Sequence, residues 1–116
     1  HELTHAFVFE ISRGAADWDL HEGLAQHFEG RRVGPLPAGF RKAAASGTLA
    51  GVRERYLAAL SFVTFLLDQG GQPALNQLLA EIGRRGDSEL AWLAAFGRSK
   101  SDLRAAWIEA LPDGHP

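Results

Sequence analysis

The sequence predicts an all-α fold of about six or seven helices. Apolar residues recur at helical spacing through most of the chain, and no stretch shows the alternation of a half-buried strand. Glycine, proline and capping residues divide these periodic stretches into lengths ordinary for globular helices. With 116 residues, 46% apolar and 22% charged, the chain holds one domain with a modest core.

Charge and composition remove several function classes. A formal net charge of -2, with no basic cluster larger than the pairs Arg31-Arg32, Arg41-Lys42 and Arg84-Arg85, leaves no footprint for nucleic acid, and no such partner is expected. The absence of cysteine excludes disulfides and thiolate metal sites, which leaves histidine and carboxylate as ligands. The longest apolar region, near residues 61–67, is too short to span a bilayer.

The first expected helix, residues 1–13, is apolar on nearly every side through Leu3, Ala6, Phe7, Val8, Phe9 and Ile11, as in a helix buried within a larger body. It opens His1-Glu2-Leu3-Thr4-His5, the pattern H-E-x-x-H. Residues four apart share a helix face, so His1 and His5 can present imidazole nitrogens to one metal ion. Glu2, one residue round, is where a zinc hydrolase needs a general base to take a proton from the attacking water and pass it to the leaving group. Five residues also match by chance on an ordinary helix, and a zinc site with one open position needs a third protein ligand.

Gly14 ends this helix, and Asp17 and Asp19 offer N-caps for a second over residues 20–29, with Asp19 and Glu22 spaced as a capping box. Leu24 and Phe28 share one of its faces, and Glu22 and Gln26 lie one turn apart. His21 and His27 read as surface histidines pointing elsewhere. Residues 31–48, holding Gly34, Pro35, Pro37, Gly39 and Gly47, read as an irregular connection with a short helix over 40–46. By position alone it is a candidate lining for a substrate cleft.

The strongest helix pattern covers 49–69, where Tyr56, Ala59, Leu60, Val63, Leu66 and Leu67 form a stripe broadened by Phe62 and Phe65. Gly70 and Gly71 end it, and Pro73 suits the first turn of another helix with Leu75, Leu78, Leu79 and Ile82 on one stripe, closed by Gly86. Asp87 and Ser88 can cap a short helix through Leu90, Leu93 and Ala94, stopped by Gly97. Ser99 and Asp102 form a capping box for the last helix, with Leu103, Trp107 and Leu111, before Pro112 and a loose tail, 112–116, containing His115.

H-E-x-x-H followed by Trp18-Asp19-Leu20-His21-Glu22-Gly23-Leu24-Ala25 resembles the gluzincin zinc metallopeptidases, in particular bacterial peptidase MA-like domains, whose second helix carries W-L-x-E-G-x-A. Trp18 precedes Glu22 by four residues where that family usually has three. The back half resembles the same family through Tyr56, Ser61-Phe62-Val63-Thr64-Phe65-Leu66, Gly71, Leu78-Leu79, Ala91, Gly97-Arg98-Ser99 and Trp107. The resemblance implies Zn2+ held by His1, His5 and Glu22, with Glu2 as general base. Gly23 would then let the second helix approach the first closely enough for Glu22 to reach the metal. Gln26 is either a hydrogen-bond partner for a ligand histidine or a solvent-facing side chain. Tyr56 is either a core residue or a donor to the developing oxyanion.

The expected molecule is thus an orthogonal helical bundle, the C-terminal helical part of a gluzincin-like domain, that hydrolyses peptide bonds in a peptide or protein substrate. Residues 1–30 supply the zinc-site helices, 31–48 the connection and 49–111 the bundle. Having no methionine and beginning inside its own motif, the chain reads as part of something longer, whose upstream part is an expected partner. These residues alone are expected to hydrolyse peptides poorly or not at all. The rival readings are a non-catalytic helical interaction module retaining the fold, and a zinc hydrolase of a non-peptide substrate.

Overall fold

Every regular element in the computed structural model, which describes residues 18–86 and 89–112, is an α-helix. The expected helix over 1–13, with His1, Glu2 and His5, lies outside the described residues, as do Asp17, Asp87, Ser88 and His115. Five helices follow in order: α1 Trp18–Phe28, α2 Phe40–Ser46, α3 Val52–Arg85, α4 Glu89–Phe96 and α5 Lys100–Ala110.

Helix α1 includes Trp18 and Asp19, two residues ahead of the expected start at Leu20. Asp19 therefore sits inside the first turn and not at the N-cap, where its carboxylate still faces the positive end of the helix dipole. At the other end the Arg31 N–H donates to the Gln26 carbonyl and the Gly30 N–H to that of His27, both at 3.0 Å, a Schellman closure that turns the chain into the 31–39 connection. Helix α2 occupies the expected span.

Residues 52–85 are two helical stretches, as expected, that meet without a loop at a kink at Gly71, whose φ of 75° and ψ of 178° are non-helical. That backbone region is essentially glycine's alone. Pro73 explains the break, because its missing N–H and its ring are incompatible with an unbroken turn before it. At the start of α3 the Glu54 carboxylate accepts the Gly51 N–H at 2.9 Å.

Helix α3 is the centre of the molecule, with α1 and α4 packed against it and α5 closing the remaining side. Phe62, Val63, Leu66, Leu75, Leu78 and Ile82 are buried along it, the stripes expected from the sequence. Phe62 lies between Trp92, at 6.3 Å between centroids, and Trp107, at 5.5 Å in an edge arrangement. The Trp107 indole N–H donates to the Ser61 hydroxyl at 2.9 Å, which satisfies both buried polar groups.

In α4, Ala91 and Trp92 are buried while Leu90 and Leu93 are exposed. The segment is apolar all round, so its spacing does not select a face. The larger Trp92 fills the space beside Phe62 and Phe96. Helix α5 begins as expected, with the Ser99 hydroxyl accepting the Asp102 N–H at 3.1 Å. Among the described residues no helix is long and apolar enough to cross a membrane.

Candidate functional site

Three residues of α1, Trp18, Glu22 and Gln26, lie successively four apart and so form one stripe. The Trp18 ring meets the Tyr56 ring edge-on at 5.3 Å between centroids, and the Arg55 guanidinium lies over the Trp18 ring, 5.1 Å from its centroid. The Gln26 side-chain amide donates to the Tyr56 carbonyl at 2.8 Å. Trp18 and Gln26 are separated by roughly 12 Å along the helix axis. Both reach Tyr56, Trp18 at its ring and Gln26 at its backbone carbonyl, while Gly23 between them meets Ala59 and Val63 further along α3. Glu22 sits between Trp18 and Gln26, one turn from each.

Glu22 is 3% exposed, and its Oε1 is fully enclosed. A carboxylate is rarely buried to this degree in an apolar helix interface unless it holds a cation or a hydrogen-bond donor. Its oxygen donors suit zinc, so the residue meets the chemical requirement placed on a third ligand. Among the described residues no group of three His, Cys, Asp or Glu side chains converges to hold a metal. The other expected ligands, His1 and His5, and the expected base, Glu2, lie outside those residues.

The approach expected of Gly23, to the helix over residues 1–13, lies outside the described residues. The close approach visible there is to α3: an added Cβ would overlap the Ala59 carbonyl oxygen and the Val63 side chain. Close packing at Gly23 sets the depth at which α1 sits on α3, and with it the depth of Glu22.

Gln26 is not solvent-facing. It is 4% exposed and joins α1 to α3 through a residue 30 positions away. Tyr56 is not a core residue either, at 37% exposure. It stands at the edge of a cleft of about 890 Å³ bounded by the 31–37 connection, Gln26 and the first turns of α3. His21 and His27 are half-buried, not fully at the surface.

Compared with known proteins, the chain matches no family model, no curated sequence and no solved structure. The chemistry of the site therefore rests on its own residues. Sequence reading passed over the arginines of the cleft, Arg31, Arg32 and Arg53. Their signal was present: Arg53 precedes Tyr56 by three positions and so shares its helix face.

Proposed function

We propose that the chain carries a gluzincin-like zinc site and hydrolyses peptide bonds, with His1, His5 and Glu22 as ligands and Glu2 as general base. The H-E-x-x-H spacing motivates this reading, and the structural observation that carries it is the burial of Glu22 on the α1 stripe that meets Tyr56. When bound, zinc supplies Lewis acidity toward the scissile carbonyl. Glu2 takes the proton of the attacking water and returns it to the departing amine, which must leave protonated.

Support from the fold comes through positioning. The Gly23 contact and the Gln26 bond hold α1 on α3 at two points along one face, restricting the sliding or rotation that would move Glu22. Tyr56 stands at the mouth of the adjacent cleft, where its phenol is available as a donor to an oxyanion.

Metal analysis and a peptide-library digest, each with and without chelator, test the proposal together. Stoichiometric zinc is expected, lost in Glu22→Ala. Glu2→Gln keeps the metal and loses turnover, since it removes a base and no ligand. Unimpaired hydrolysis in Glu2→Gln, or full zinc affinity in Glu22→Ala, overturns the assignment.

A further inference from the structure

We infer that the cleft beside Tyr56 is a carboxylate-binding subsite, in which Arg31, Arg32 and Arg53 receive an acidic side chain or the C-terminal carboxylate of an extended peptide. For its place in catalysis this inference rests on the hydrolase reading; as a binding site it stands on the cleft alone.

The first support is where the positive charge is left. The chain is net negative, yet three arginines border one concavity. Elsewhere, arginines are engaged: Arg84 and Arg85 on Glu81, Arg41 on Glu109, Arg55 and Arg104 over aromatic rings. Arg31 has Glu29 at 3.5 Å, a loose and exposed pair. Arg32 and Arg53 form no ion pair among the described residues. Among the described residues the one acidic residue lining the cleft is Glu54, whose Oε2 accepts the Gly51 N–H. That hydrogen bond leaves the Glu54 charge in place, so an entering anion meets three guanidinium groups against one carboxylate.

The second support is the shape of the site. Leu57 and buried Leu60 contribute an apolar wall opposite the connection, and Pro35 and Pro37 restrict the backbone that forms its far side. A concave site with low-dielectric walls strengthens the field of the charges around it. Guanidinium groups also offer paired N–H donors matched to the two oxygens of a carboxylate.

The third support is position. Gln26 and Tyr56 line the cleft, and Gln26 is one turn from Glu22, roughly 5–6 Å between Cβ atoms. An extended peptide advances ~3.3 Å per residue. A carboxylate held by the arginines therefore belongs to a residue only a few positions from the bond being cut, which makes the cleft a selector of substrates with an acidic group at that offset.

The test uses fluorescein-labelled extended hexapeptides with a single Glu at successive positions, their Gln counterparts, and versions with free and amidated C-termini. Binding to the whole chain is followed by anisotropy, with chelator present so that metal coordination makes no contribution. At one offset the Glu peptide should bind about tenfold more tightly than its Gln counterpart, as expected for a charge-assisted contact. The amidated series tells side-chain from terminal carboxylate. Arg32→Gln and Arg53→Gln, both at exposed positions, should each erase most of that preference, and the double Arg32→Glu, Arg53→Glu variant should favour a Lys peptide, with unchanged thermal unfolding in all three. Equal binding of Glu and Gln peptides with both termini, or a preference retained in the Arg variants, overturns the inference; so does tighter binding of a single-stranded oligothymidylate than of any peptide. Peptide hydrolysis is measured separately on the same series: binding preference without hydrolysis removes the hydrolase reading and keeps the subsite, and hydrolysis without preference does the reverse.

Discussion

Glu22, Tyr56 and Glu81 are ionisable groups placed in three different ways, and each placement has a measurable consequence. Glu22 is buried on α1, so its contribution is read through zinc content, as above. Tyr56 presents a part-exposed ring at the cleft edge. Tyr56→Phe keeps the ring against Trp18 and deletes only the hydroxyl, and loss of one oxyanion donor costs ~10²-fold or more in rate. A rate within twofold of the unaltered chain would remove Tyr56 from the mechanism. Glu81 lies buried on α3 and accepts from Arg85 Nε at 2.6 Å and from the Arg84 guanidinium. The Arg85 hydrogen bond, aided by Arg84, outweighs burial and holds the carboxyl below its ordinary value of 4.5. Since the folded value is the lower one, the stability this ionisation contributes is present above about 4.5 and is lost as pH falls through the lowered folded value. Denaturant unfolding from neutral pH to about pH 3 should therefore show a shallower acid-side decline in Glu81→Gln than in the unaltered chain. Parallel declines would mean that the pair contributes nothing to the acid limb.

Two glycines decide how the elements sit. Gly23 lets α1 rest directly on the Ala59 and Val63 turn of α3. Gly23→Ala forces backbone and side chain apart and should cost ~1–3 kcal/mol, the range for overpacking a filled interior. Because the contact also sets the depth of Glu22, the same variant should weaken zinc binding, while a change in stability alone would separate the two roles. Gly71 carries the break within α3, and Gly71→Ala places a Cβ at a φ of 75° and ψ of 178°, a backbone region costing ~1–3 kcal/mol for an L-residue. Urea unfolding midpoints of the two variants measure both effects.

For the whole molecule, a metal site built from residues 1, 5 and 22 would tie the start of the chain to the helix that packs on α3. Zinc binding only the folded chain would stabilise it by ~2.7 kcal/mol at a free concentration one hundred times its Kd. Thermal unfolding should therefore move upward with added zinc, return with chelator, and stay unmoved by zinc in Glu22→Ala. An unchanged midpoint in the unaltered chain at saturating zinc would argue against a site linked to folding.

The helical class and several helix starts and ends were legible because they are local matters. Ser99 caps α5 through an amide three residues away, and Gly71 with Pro73 interrupts α3 by backbone geometry that no distant residue has to supply. Glu22 could be singled out from its neighbours in sequence, but its burial could not. The face of α4 was not legible, because Glu89–Phe96 is apolar on all sides and only the position of Phe62 selects Trp92 over Leu90 and Leu93. Nor was the partner of Gly23, the Gln26 bond to Tyr56, or the gathering of Arg31 and Arg32 with Arg53. These depend on how α1 packs on α3. Residue spacing within a helix specifies which side chains share a face, whereas the contacts of that face follow from the packing of helices far apart in the chain.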